Sequence, residues 1–559
     1  MQRARRRKIK HPRSLLATVA MALLVPFVAG PAVAQSQIVP MQKRVDVDWP
    51  SVARDVPDLA APPRTVDSEA EQALARYAFK DKKAIQPLAR LNAFMAATYP
   101  GLPTVPVPVL APVDASRYVG EFARGGSTPR DAAQSFLLPA ITKMQFLAKT
   151  TGYDAILTVN RDLLRQYGIA DVELAQVHLG GTGLLYEPEP QRRGAGPSER
   201  GALIEDDELR ARYPGLRRHV GEDEITYNFI KYRVPYFASL ACQHEKRSTA
   251  PGVPCPQADA ILRAVLLDLR LIGGAPLAPL APAAPRRRAD TEGPPRPTTV
   301  SPDFKFHPPG TLIARATSQD GLGGVTTRIR WAPNNFIFPL KANPAFANSQ
   351  LFMHGGDCFH HKIPLSGGRY KCEQNPGKIL EDRESHAENY AYPWFDTYCE
   401  VRDDNERQPK DCPARRKAHE GQDIRPLRCD SSNGKCKIDL FEVIAVTKGK
   451  AWWTAQNHLR LIANDGTNLY YMYMHMSPTA LAAAEMKLGE AVDVEQGRKV
   501  GAVGNWLKTE PGATTAHLHF EIRKQTEMCG SYGCPSSPYW TLVLAYELLI
   551  NMRGTEITP

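Results

Sequence analysis

The sequence predicts a multi-domain chain: an α+β N-terminal region, a proline-rich spacer, and a mainly antiparallel β region carrying a disulfide-rich insertion. Three observations support this. At 559 residues the chain is too long for one ordinary core. The stretch GGAPLAPLAPAAPRRRADTEGPPRPTTVSP, residues 273–302, is rich in proline and alanine and nearly free of large apolar side chains, as extended spacers are. After it, strand-like runs recur between Gly, Asn and Asp turns: FEVIAV, HLRLIAN, LYYMYMHM, KVGAVG and HLHFEI. With 43% apolar and 23% charged residues, the composition excludes wholesale disorder.

Residues 1–34 read as a secretory signal. A basic stretch precedes the apolar run SLLATVAMALLVPFVAG, and small residues at Ala32 and Ala34 mark a cleavage site after Ala34. Arg6-Arg7 makes only a poor twin-arginine match. Pro26 and the Ala-Val-Ala site argue against an uncleaved anchor, and no later segment is apolar enough to span a bilayer. Seven Lys/Arg and no acid lie in this segment, so the net charge of +11 falls to +4 beyond it. That balance calls for no nucleic-acid partner. Ten cysteines, none in the signal, fit an oxidising compartment. They fall as neighbours, which favours local pairing: Cys242 with Cys255, Cys358 with Cys372, Cys399 with Cys412, Cys429 with Cys436, and Cys529 with Cys534. The absence of paired CxxC motifs weighs against a cysteine zinc site.

Residues 35–272 form the α+β region. SEAEQALARYAF opens with a capping-box pattern, Ser68 and Glu71, and continues helically. ITYNFIKYRVPYFASLAC reads as strand, divided around Pro235. QADAILRAVLLDLRLIGG reads as an amphipathic helix closed by Gly273. No catalytic constellation is visible in this half. His178, His219 and His244 are scattered and read as ordinary structural or surface residues.

Residues 303–559 hold the chemistry-bearing motifs, with the polar, turn-rich insertion at about 343–418. In AHLHFEI, a strand puts His517 and His519 on one face and Leu518, Phe520 and Ile522 on the other. A helix would turn the two imidazoles apart. In HEGQDIRP, His419 and Asp423 share a face four residues apart, and Gly421 and Pro426 favour an extended segment over a helix. Glu420 does not make this an HExxH motif, because the second histidine is missing. In LYYMYMHMSP, strand alternation groups Tyr471, Tyr473 and His475, with Met472, Met474 and Met476 behind. Three of the other histidines, His354, His360 and His361, sit in the insertion near Asp357 and read as surface residues; His458 reads as structural.

Taken in order, HxxxD, a strand ending YMHMS, GEAVDVEQGRKVGAVGN and HLHFEI resemble the lysostaphin/LytM-type zinc metallopeptidases over roughly residues 415–525. The resemblance implies a LytM-like catalytic domain in which His419, Asp423 and His519 ligate one Zn²⁺, while His475 and His517 are catalytic. Three protein ligands leave zinc one open position, as catalytic sites do. Either histidine can act as base while the other stabilises the oxyanion; adjacency to His519 favours His517 as base. Glu521 is either a partner of His519 or a solvated carboxylate. Met476 stands where leucine is usual, Asn505-Trp506 replaces small residues, and the loop to Thr515 is long. The expected activity is that of an exported zinc metalloendopeptidase acting on peptidoglycan peptides. The alternatives are a secreted metalloprotease acting on extracellular proteins, or a non-catalytic LytM-type activator of cell-wall amidases. Members of the last kind lose the zinc ligands, and this chain keeps them.

Overall fold

The computed structural model describes residues 40–56, 82–114, 137–169, 172–186, 202–220, 224–243, 252–276, 304–307, 309, 328–331, 336–341, 345–347, 362–364, 370–374, 378–381, 394, 396–398, 401–403, 417–426, 438–454, 457–507, 511, 514, 516–526 and 530–553. The expected signal segment, the SEAEQALARYAF helix, nearly all of the spacer and most of the insertion lie outside these residues, as do His244, His354, His360 and His361. Cys358, Cys399, Cys412, Cys429, Cys436 and Cys529 lie outside them as well. Among the described residues antiparallel strands dominate and helices are few. None of those helices is long and apolar enough to cross a membrane.

In the N-terminal half, β1 (Val109–Pro112) precedes the strands of a seven-stranded sheet: β2 (Ile141–Lys149), β3 (Gly152–Val159), β4 (Gln176–Thr182), β5 (Ala202–Leu203), β6 (Arg217–Val220), β7 (Glu224–Lys231) and β8 (Val234–Ala241). Their order across the sheet is β2-β3-β4-β8-β7-β6-β5. Helix α1 (Cys255–Leu267) buries Ala258, Ile261, Leu262, Val265 and Leu266 against β7 and β8. The Cys242–Cys255 disulfide ties the end of β8 to its first turn, as local pairing predicts.

Two expectations for this half are corrected. The strand pair breaks at Tyr232 and Arg233, not around Pro235. Both residues have positive φ, 53° and 64°, as a two-residue hairpin turn of matching twist requires. Pro235 lies inside β8 at a position paired only with β7, where its missing N–H breaks no bond to β4. The helical pattern of QADAILRAVLLDLRLIGG also stops early. Asp268 caps α1, and Leu269–Gly273 forms β9, antiparallel to β1.

The C-terminal half is built on an eight-stranded sheet. Its strands are β10 (Ala345–Ala347), β11 (Gln422–Pro426), β12 (Gly449–Trp453), β13 (Leu459–Ala463), β14 (Tyr470–Met474), β15 (Ala491–Val494), β16 (Leu518–Thr526) and β17 (Gly530–Ser536). The order is β10-β11-β16-β14-β13-β12-β15. On one edge of β16, β11 pairs with Leu518–Phe520 and β17 takes over from Ile522. Residues directly opposite in a ladder share a face. Leu518, Phe520 and Ile522 therefore join Ile424, Tyr471 and Tyr473 in the core, under helix α2 (Tyr539–Arg553). The odd-numbered residues of β16 line the other face.

That second face is where the N-terminal half docks. Leu147 and Ile156 pack with Trp452, Ile462 and Tyr470 in a small buried cluster. The Gln145 amide donates to the Gly489 carbonyl at 2.7 Å and accepts from Ala491 N–H at 3.0 Å. Asn468 donates to Thr182 Oγ1 at 2.7 Å, and the Tyr470 hydroxyl donates to buried Asp154 at 2.7 Å. Lys149 sits 2.8 Å from the second Asp154 oxygen. Burial opposes ionisation of Asp154, but Lys149 and His178 outweigh it and hold this carboxyl well below the usual range. Because the halves share a buried interface, cutting the spacer at a protease site inserted after Arg288 should leave both fragments co-eluting in gel filtration. Separation without denaturant would contradict this packing.

Candidate metal centre

The β11–β16 register places Asp423 directly opposite His519, and the β14–β16 register places Met474 on the other flank of the same residue. His419 lies just ahead of β11, in the extended arrangement expected for HEGQDIRP. Gly421 allows that segment to close on β16. A Cβ there would stand 2.4 Å from the Phe520 carbonyl oxygen and 2.7 Å from His519 Nε2.

Three donor atoms converge. His419 Nε2 is 2.7 Å from His519 Nδ1, and Asp423 Oδ1 is 3.1 Å from the first and 3.2 Å from the second. All three side chains are buried. Ligands on a tetrahedral zinc at Zn–N distances of about 2.0–2.1 Å stand roughly 3.3 Å apart, so the triangle is close to one face of such a tetrahedron. The tautomers agree with that use. His419 Nδ1 donates to the Thr397 carbonyl at 2.9 Å, which turns the Nε2 lone pair inward. His519 Nε2 lies 3.0 Å from Glu521 Oε1 and donates to it, which turns the Nδ1 lone pair inward. Two lone pairs and a carboxylate oxygen facing one another out of water repel unless a cation or a proton sits among them. Burial pushes the His519 imidazole down, but Asp423 and Glu521 outweigh it and raise it to about 10. The buried His-Asp-His group can bind a metal.

The other two histidines stand beside the cluster. The His475 ring is 4.5 Å from that of His517 and 5.8 Å from that of His519, centre to centre. His517 Nε2 is 3.3 Å from Asp423 Oδ1. Strand alternation carried past Met474 would turn His475 into the core with Tyr471 and Tyr473. Its backbone instead has φ 70°, which reverses the side chain onto the face of His519. His475 Nδ1 donates to the Trp506 carbonyl at 2.7 Å, and Trp506 N–H returns a bond to the His475 carbonyl at 3.2 Å. Burial and the neighbouring imidazolium charges hold His475 well below the ordinary histidine range.

All five residues singled out from the sequence thus meet in one place. Glu521 is fully buried and bonded to His519, which excludes the solvated alternative. Sequence reasoning missed Glu420 and Arg523, which share a 2.7 Å ion pair. Strand parity carried a signal for Arg523, since it shares the face of His519 and Glu521. Of the two readings of His178 the structural one holds: it is buried between Asp154 and Arg460. His458 is buried ahead of β13, as a structural residue would be.

A crystal structure of a candidate glycyl-glycine endopeptidase, LytM, from Ruminococcus gnavus is similar at 22% identity, with a TM-score of 0.17. The match covers 23% of this chain and 47% of that one, so the chain spans about half the length of that structure. No family model matches the chain, and no curated protein resembles it at a significant level.

Replacing Glu521 with glutamine should weaken metal binding by about 10–100-fold, because the carboxylate that sets the His519 tautomer is lost. Gly421→Ala should also weaken it, and should lower stability by about 1–3 kcal/mol through overpacking against β16. Chelator competition and thermal melting measure the two effects.

Proposed function

We propose that the chain is an exported zinc metalloendopeptidase that hydrolyses peptide bonds of peptidoglycan, with His419, Asp423 and His519 as the zinc ligands. One observation carries this reading: three buried donor atoms 2.7–3.2 Å apart, with both imidazole lone pairs turned inward. When bound, zinc acts as a Lewis acid and lowers the pKa of a water to about 7. The remaining work falls to the two flanking histidines. His475 commits its Nδ1–H to Trp506, so its Nε2 is the acceptor that takes a proton and hands it to the leaving amine. His517 then donates to the oxyanion. This reverses the preference drawn from adjacency to His519, which ignored tautomers.

The peptidoglycan substrate and the export rest on the motif order and on the signal-like first 34 residues. A secreted protease would use the same site on a different peptide. The reading as an inert activator has least support, because the five side chains are retained and converge.

Zinc-loaded protein incubated with purified sacculi should release fragments cut at amide bonds, identified by mass spectrometry, and should leave casein intact. Casein cleavage without sacculus cleavage would shift the assignment to the secreted protease. Inactivity on both would remove the enzyme reading. His475→Ala and His517→Ala should each reduce cleavage by at least about 100-fold while zinc content stays at that of the parent protein.

A further inference from the structure

The N-terminal half reaches the surroundings of the candidate metal centre through a chain of buried charges. Glu521, which accepts from His519, accepts through its other oxygen from Arg523 Nε at 2.7 Å. The same guanidinium donates from Nη2 to Glu420, the neighbour of His419, at 2.7 Å. Its Nη1 stands 3.5 Å from Glu224 Oε1, and Glu224 is the first residue of β7 in the other half. The second Glu224 oxygen accepts from Arg460, whose Nη1 lies 3.2 Å from His178 Nδ1. Glu224, Arg460, Arg523, Glu420 and Glu521 are all at most 5% exposed.

We infer that Glu224 is a positioning residue of the metal centre: by binding Arg523 and Arg460 together it holds the Arg523 fork against Glu521, and so fixes the His519 imidazole. The inference rests on the zinc reading proposed above. Its physical basis is local. Two guanidinium groups approach one carboxylate in a low-dielectric interface, where like charges repel strongly. Glu224 screens that repulsion. Without its charge Arg523 swings away from Arg460, and Glu521 loses the donor that orients it. Adhesion between the halves does not account for the arrangement, since apolar side chains would hold the same interface at least as well as buried ions. On this view residues of the N-terminal half belong to the metal centre, and that half is more than a cover or a wall-binding module carried beside it.

The test is zinc affinity of the chain spanning residues 35–559, by competition with a chromogenic chelator, with the melting temperature recorded in parallel. Glu224→Gln should weaken zinc binding about tenfold. Gln145→Ala, which removes two interface hydrogen bonds far from the site, should lower the melting temperature and leave zinc affinity unchanged. Because Glu224 acts through Glu521, the double variant Glu224→Gln/Glu521→Gln should bind zinc no more weakly than Glu521→Gln alone. Should Glu224→Gln fail to fold, the milder Glu224→Asp is read in the same way, with a loss of several-fold. Unchanged affinity in the Glu224 variant, or losses that add in the double variant, would overturn the positioning role and leave the zinc reading intact. A parent protein that takes up no zinc would overturn both.

Discussion

Everything in the candidate centre depends on a single ladder register, Asp423 opposite His519. Side chains on a strand alternate between faces, so a slip of one residue would set Asp423 against Leu518 or Phe520 and turn it into the core. Ile424 and Leu518, also opposed and both fully buried in the apolar cluster, resist that slip. The hydrophobic effect thus selects the register, and the register brings the donor atoms of Asp423 and His519 together. The same alternation explains why one strand can serve two purposes: the even positions of β16 are paid for by the core, which leaves the odd positions for His519, Glu521 and Arg523.

The second constraint is the backbone at His475. A non-glycine residue at positive φ costs of order 1 kcal/mol, so the surroundings must enforce it. Paired bonds with Trp506 do this from one side. Gly504 does it from the other, because a Cβ there would stand 2.4 Å from the His475 carbonyl oxygen. The Gly504 carbonyl also accepts from His517 N–H at 3.0 Å. One glycine therefore lies against the backbone of both flanking histidines, and the KVGAVG hairpin becomes part of the site through its main chain.

This separates what was legible in the sequence from what was not. Period-two alternation made HLHFEI readable as a strand with two histidines on one face, and Gly421 and Pro426 correctly excluded a helix for HEGQDIRP. Those features are local. Alternation misplaced His475, because this residue, just past the end of β14, reverses its own side chain, and the enforcing contacts come from Gly504 and Trp506. The Tyr232-Arg233 turn was hidden because neither residue is one that positive φ favours, while Pro235 offered a more familiar break. The end of α1 was hidden because LRLIG is equally apolar as helix or strand, and only pairing with β1 decides. Glu224 was unreadable for another reason. Its partners Arg460 and Arg523 lie in the other half, and no periodicity connects them.

The cost of that hidden connection says what it does. Burying Glu224, Arg460 and Arg523 removes three hydrated charges from water, a penalty their mutual attraction only roughly offsets. The interface already has an apolar cluster in Leu147, Ile156, Trp452, Ile462 and Tyr470, and neutral hydrogen bonds through Gln145 and Asn468. Those contacts are enough to dock two sheets. A charge chain adds direction rather than strength, because a guanidinium shared among three carboxylates has one orientation that satisfies them all. It begins at a histidine of the donor triangle and crosses into the other half. A cavity of about 420 Å³ lies between the halves, lined by Gln176, Trp452, Trp453 and Arg460, and it extends to Trp506, whose carbonyl holds His475. The same docking that completes the ion chain therefore also shapes this cavity, so movement at this interface would disturb both.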